Sequence, residues 1–262
     1  MDVSSVADAF VTARRTGEVL DHYPGGVLPA DLTEAYAVQD AAIARWGAEP
    51  AGWKAGLIAP DRREPGGDER LVGPIWAPSI RRAGEAEVTL PVITGGFAAI
   101  EAEFVVRLDA PAEPRTWTSS DVAAQAYTIF AGIEIAGSPL PMINDLGPAV
   151  TASDFGNNAG LVIGAALPAD ADPNVIMVRT ELDGRLAGEA SGSAIPGGLF
   201  TSVAQTLTIL GWRGYSVPAG TFFATGAVTG VHAAGVGTRA VISFGDLAPL
   251  RCRLVDHDHS GN

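Results

Sequence analysis

The chain has 262 residues, 47% of them hydrophobic and 18% charged, which is enough to bury a sizeable core and excludes a disordered protein. Its formal net charge of −13 argues against nucleic acid and anionic membrane surfaces as partners, since clustered Lys and Arg hold both. Cys252 is the only cysteine, so a disulfide framework and a cysteine-rich metal site are excluded as well.

"MDVSSVADAFVTARR" lacks a basic leader followed by an apolar core, and no apolar run approaches the ~20 residues of a membrane span. A cytoplasmic protein is the expectation. Residues 3–16 read as an amphipathic helix, with Val6, Phe10 and Val11 on one side and Gly17 as its stop. In "LPADLTEAYAVQDAAIARWG" a second helix carries Leu32, Tyr36, Gln39 and Ile43 at helical period and ends at Gly47. "PAGWKAGLIAP" reads as a short strand, and "DRREPGGDERLVGP" as a loop or lid. Strands are expected over 86–93, 98–108, 130–136, 159–165, 175–183, 221–224 and 239–244. Two helices interrupt them, one starting at "TSSDVAAQAYTIF" and one in "GGLFTSVAQTLTILG". The tail "DHDHSGN" is expected to fray. Helices first and long mixed β structure after indicate an α+β chain without internal repeats. The division expected is a helical subdomain over 1–80, bearing the Lys54 strand and the lid loop, and a β-rich catalytic domain over 81–262.

Chemistry concentrates in "GGFAAIEAEFVVRL". Glu101 and Glu103 share one side of a strand with Val105, while Ala102, Phe104 and Val106 form the other. Two anions on a partly apolar face need a counter-charge: a basic side chain, or Mg²⁺, Mn²⁺ or Ca²⁺ bound through oxygen. Glu134 stands between Ile133 and Ile135, and three carboxylates balance a divalent ion while leaving room for substrate oxygens. Lys54, in "GWKAGL", is either a surface lysine or a cation beside the cluster that holds an anion or moves a proton. No two of His22, His232, His257 and His259 have metal-ligand spacing, and the glycine-rich "GAVTGVHAAGVG" lacks the strand–turn–helix context of a nucleotide site.

"LTEAYAVQ", "GWKAGL", "IEAEFVV", "GIEIAGS", "DFGNNAGLVIG", "GEASGSAIPGG" and "FATGAVTGVHAAGVGTRAVISFGDLAPL" occur in an order and at separations spanning nearly the whole chain. Together they resemble the 2-keto-4-pentenoate hydratase and 4-oxalocrotonate decarboxylase branch of the fumarylacetoacetate hydrolase superfamily. The resemblance implies a mixed β-sandwich or roll core with N-terminal helices packed on it. It also implies a homo-oligomer and Mg²⁺ or Mn²⁺ held by Glu101, Glu103 and Glu134. It assigns Lys54 and Asp154 to catalysis, and Ser193 and Thr225, in the turns Gly192–Ser193 and Thr225–Gly226, to substrate binding. Two departures accompany it. Leu71 stands where relatives carry an aspartate, with Asp68 or Glu69 as substitutes, and "GGL" at 197–199 replaces a Gly-His-Pro.

The implied reaction is hydration of a 2-hydroxy-2,4-dienoate, the metal stabilising an enolate. Decarboxylation of a 2-oxo-enedioate is the alternative. A recruited biosynthetic or non-catalytic member is the third reading.

Overall fold

In the computed structural model, which describes residues 1–257, local chemistry sets the ends of the first two helices. Helix α1 (Val3–Thr16) begins where the Asp2 carboxylate accepts from the Ser4 and Ser5 amides, and it stops at Gly17, whose φ of 70° is left-handed. Helix α2 (Leu32–Trp46) is capped by Asp31 and ends at Gly47, φ 76°. Both stops fall on the expected glycines. His259 and the rest of the tail beyond His257 lie outside the described residues.

The chain continues through β1 (Pro50–Leu57), β2 (Arg70–Trp76), β3 (Ile80–Arg82), β4 (Val88–Val92), β5 (Phe97–Leu108), α3 (Ser119–Ala123), β6 (Tyr127–Ser138), α4 (Pro148–Ser153) and β7 (Asn158–Ala166). It finishes with β8 (Met177–Leu182), β9 (Arg185–Ser191), α5 (Leu199–Trp212), β10 (Phe222–Ala227), β11 (His232–Ala233), β12 (Arg239–Phe244) and β13 (Leu250–Asp256). One mixed sheet has the order β2-β1-β10-β5-β6-β7-β3, with β11 also paired to β5; a second has the order β4-β13-β12-β8-β9.

The two sheets pack face to face. Ile100, Ala102, Phe104 and Val106 of β5 join Ile242, Phe244, Cys252 and Leu254 of the second sheet in one core, where the Phe104 and Phe244 rings meet edge-on at 5.3 Å. Val203, Leu207 and Leu210 of α5 close one side of the same core. Val6, Phe10 and Val11 of α1 and Val38 and Ala42 of α2 pack with Trp76 and Phe155 in a second cluster. This is the α+β sandwich with packed N-terminal helices that the sequence leads one to expect. No helix among the described residues is long and apolar enough to cross a membrane.

Several local expectations are corrected. The helix expected from "TSSDVAAQAYTIF" ends at Ala123, and Tyr127 already pairs with Leu108, because twelve residues of β6 run against twelve of β5. That ladder overrides the local helical signal. The second half of the expected lid loop is β2, which tolerates Pro74 because it is an edge strand. Strand β13 went unanticipated although Leu250, Cys252 and Leu254 alternate inward between exposed Arg251 and Arg253. The boundary at residue 80 runs through a sheet: β1 lies between β2 and β10, so residues 1–80 supply two strands to the layer that carries β5 and β6.

Candidate metal centre

Strands β5 and β6 are antiparallel, with Glu101 opposite Glu134 and Glu103 opposite Gly132. Like charges facing each other across strands repel. Even so, Glu101, Glu103 and Glu134 are only 6%, 1% and 0% exposed. One carboxylate oxygen from each lies within 4.8 Å of the other two.

Neighbouring strands complete the floor. Lys54 on β1 is 4% exposed; its Nζ donates to Asn157 Oδ1 at 2.9 Å and lies 3.4 Å from Glu134 Oε1. On β10 a register shift between Ala224 and Ala227 turns the Gly226 N–H onto Glu103 Oε2 at 2.8 Å. At the start of β7, Asn158 Nδ2 donates to Glu134 Oε1 at 2.9 Å. Five adjacent strands thus each contribute one or two polar groups.

The turn "DFGNN" is what aims both asparagines. Phe155, Gly156 and Asn157 all have positive φ, at 53°, 60° and 56°, a strained run for residues with side chains. Arg14 of α1 clamps it, pairing with Asp154 through Nε at 2.5 Å and Nη2 at 3.0 Å and donating to the Asn158 carbonyl. Gly73 on β2 lets it approach, since a Cβ there would stand 2.0 Å from the Phe155 carbonyl oxygen.

Burial raises the Glu101 carboxyl to about 7 despite the nearby Lys54 ammonium. It raises Glu103 well above the usual range, reinforced by Glu134 and Glu101. Burial pulls Lys54 downward, but the three carboxylates, Glu134 first, outweigh it and leave the ammonium raised. Fully ionised, the three carboxylates would outnumber the Lys54 ammonium among them by two, and desolvating such charges costs on the order of several kcal/mol each, which is why burial holds protons on Glu101 and Glu103. Glu134 Oε2 is buried without a hydrogen-bond partner. An all-oxygen donor set with that residual charge and that free oxygen fits a hard divalent cation.

A cavity of about 450 Å³ opens over Lys54 and Glu101, with Leu57, Ile58, Leu71 and Ile195 among its apolar walls. Leu71, at the position of the missing aspartate, is itself a wall residue. Neither Asp68 nor Glu69 lines the cavity; Glu69 instead pairs with Arg63 at 2.9 Å and accepts from Gln205.

Lys54 and the three glutamates therefore converge, and the other expected site residues do not. Asp154 is taken up by Arg14 and by Ser138 Oγ at 2.6 Å, as the anchor of the strained turn outside the cavity. Ser193 is exposed, bonded to Ser191 Oγ, and lines a different depression beside Gly197 and Gly198. Thr225 is buried with its hydroxyl donating to the Phe104 carbonyl at 2.7 Å, so its neighbour's amide, not its side chain, reaches the cluster. Asn157, Asn158 and Arg70 were not anticipated. Two consecutive asparagines after a glycine, leading into an apolar strand, were the available signal for the first two.

No protein-family model matches the chain. A curated 4-oxalocrotonate decarboxylase of Pseudomonas putida is 28% identical over 159 residues, 60% of this chain, and the chain spans 60% of that relative's length. The solved 4-oxalocrotonate decarboxylase from Pseudomonas putida G7, complexed with magnesium and adipate, superposes with a TM-score of 0.82 at 21% identity over 97% of both chains. Fumarylpyruvate hydrolase from Pseudomonas aeruginosa, in complex with Mn²⁺ and pyruvate, gives 0.57 at 18% identity over 80% of this chain and 91% of that one. At such identities the superpositions establish a shared fold.

Proposed function

We propose that the chain is a divalent-metal-dependent decarboxylase of a conjugated 2-oxo dicarboxylic acid, a reading supported by its 28% identity over 159 residues to a curated 4-oxalocrotonate decarboxylase and by the fold it shares with a solved one. Glu101, Glu103 and Glu134 would hold Mg²⁺ or Mn²⁺, the ions named with the solved relatives. When bound, the ion would polarise the 2-keto group and stabilise negative charge on its oxygen. The observation that carries the reading is the cluster's residual charge and free Glu134 oxygen, set beside a buried lysine at the floor of a cavity of about 450 Å³.

The chain's own residues supply the rest. Lys54 Nζ, fixed by Asn157 Oδ1, stands 3.4 Å from Glu134 Oε1, within reach of an oxygen that the cluster's ion would hold. As the bond to the distal carboxylate breaks, its electron pair moves through the conjugated chain to that oxygen, Lys54 supplies the proton, and CO₂ departs. Buried apolar side chains at Ile58, Leu71 and Ile195 line the cavity beside Lys54 and Glu101.

Hydration, the first expectation from the sequence, takes second place. Adding water calls for a base to activate it, and Glu101, part of the metal cluster, is the sole carboxylate among the described lining residues. The curated relative also favours the decarboxylase.

The test supplies the purified protein with Mg²⁺ or Mn²⁺ and either 2-oxohex-3-enedioate or 2-hydroxypenta-2,4-dienoate. Metal-dependent release of CO₂ from the first is expected. Loss of dienoate absorbance without CO₂ would instead return hydration to first place, and turnover of neither would favour a non-catalytic member.

A further inference from the structure

Arg70 opens β2 with its side chain buried, 1% exposed. Its Nε donates to Gln205 Oε1 at 3.0 Å and its Nη2 to the Pro196 carbonyl at 2.8 Å, so both bonds go to neutral oxygens. The third nitrogen, Nη1, is buried without a partner. A guanidinium keeps its charge inside a protein, and a buried one calls for an anion; the Glu103 and Glu69 carboxylates act on Arg70 through their charge, yet neither hydrogen-bonds it. Tying β2 to α5 through Gln205 would explain two of its nitrogens. It does not explain the third, nor why Arg70 forms part of the cavity wall with Lys54 and Glu101.

Gly226 connects this guanidinium to the metal cluster. Its N–H holds Glu103 Oε2, and a Cβ on it would stand 3.5 Å from Arg70 Nη1. The absent side chain leaves the space between cluster and guanidinium clear. Arg62, exposed on the rim of the same cavity and donating to the Asn144 carbonyl at 2.8 Å, makes the entrance cationic too. A substrate that spends one carboxylate and its keto oxygen on the metal has no use for a second buried cation unless it carries a second anion.

We infer that Arg70 is a specificity residue that receives, through Nη1, the second carboxylate of a dianionic 2-oxo acid bound at the metal. The inference rests on the metal-site reading above, and it names the residue that separates two-carboxylate from one-carboxylate substrates. A guanidinium suits this task better than an ammonium because its planar fork can hold Gln205, Pro196 and a carboxylate at once.

The experiment titrates the Mn²⁺-loaded protein calorimetrically with 2-oxoadipate and with 2-oxohexanoate, saturated six-carbon acids that differ only in the distal carboxylate. The wild type should bind 2-oxoadipate about 10–100-fold more tightly, the range of a charge-assisted hydrogen bond. Arg70→Gln should reduce that preference to within about threefold, while its affinities for Mn²⁺ and 2-oxohexanoate stay within about threefold of wild type; Arg70→Lys should keep part of the preference. Equal affinity of the wild type for the two acids overturns the inference without any variant. Equal weakening of both acids and of Mn²⁺ in Arg70→Gln also overturns it, as a structural role would give. If 2-oxohexanoate binds only with Mn²⁺ present and the distal carboxylate adds nothing, this inference alone fails. If neither acid needs the metal, the metal-site reading fails with it.

Discussion

Glu103 shows most directly what burial does to a carboxylate of the proposed metal cluster. It is all but inaccessible, accepts the Gly226 amide, and has its carboxyl raised by burial and then by its two glutamate neighbours. Removing its charge should therefore have opposite effects on binding and on folding. Glu103→Gln keeps an oxygen for Gly226 N–H and turns an amide donor toward the other carboxylates. Affinity for Mn²⁺ should fall by about 100-fold or more, the size of loss expected when a metal site is disturbed. The metal-free variant at pH 8 should melt no lower than the metal-free wild type. Isothermal titration with Mn²⁺ and thermal melts in chelator read both; a lower metal-free melting temperature would contradict the account. At the same scale, Asp154 and Thr225 are buried polar groups whose hydrogen bonds go to the scaffold, to Arg14 and Ser138 and to the Phe104 carbonyl.

At the scale of elements, the site depends on a strained turn held between a strand and a helix. Phe155–Asn157 could relax if it were not pressed against Gly73 of β2 and tied by Arg14 of α1. Gly73→Ala would place a methyl group 2.0 Å from the Phe155 carbonyl oxygen, with more backbone atoms behind it. One strand must move, and about 3 kcal/mol or more of stability should be lost. Displacing the turn also moves Asn157 away from Lys54. Chemical denaturation of Gly73→Ala against wild type measures the first effect, and an unchanged midpoint would show that the two segments are not in rigid contact. Helix α1 thus supports the turn that aims Asn157 and Asn158 through Arg14, without lining the cavity itself.

At the scale of the whole molecule, the proposed metal site would link folding, metal binding and pH in one equilibrium. An unfolded glutamate titrates near 4.5, while buried Glu101 is raised to about 7. Between those values the unfolded chain has released a proton that the folded chain retains. The stability from this group is therefore complete below about 4.5 and is lost as pH rises through about 7. Glu103, raised for the same reason, extends the slope to higher pH. Asp121, lowered to about 2 by its bonds to Thr118, acts far below this window. In chelator, the urea midpoint should fall steadily from pH 5.5 to 8. Saturating Mg²⁺, which needs ionised ligands and displaces their protons, should flatten or reverse the fall. A chelated protein equally stable at both ends would refute the coupling.

What the sequence determined by itself was whatever depends on near neighbours along the chain. The glycine stops at 17 and 47 are of that kind, as is the shared face of Glu101 and Glu103, because caps and strand alternation act within a few residues. The same alternation is written in β13, where Leu250, Cys252 and Leu254 turn inward. Only the tertiary structure could decide the rest. Glu134 meets Glu101 through the register of a twelve-residue ladder, Lys54 arrives from a strand two places away, and Arg70 comes from a segment whose proline and glycines suggest a loop. Asp154 and Ser193, equally prominent as motif positions, were carried elsewhere by an ion pair and by an exposed turn. Such convergence is a property of strand order and register, set by burial of the whole apolar core rather than by the local preference of any one residue.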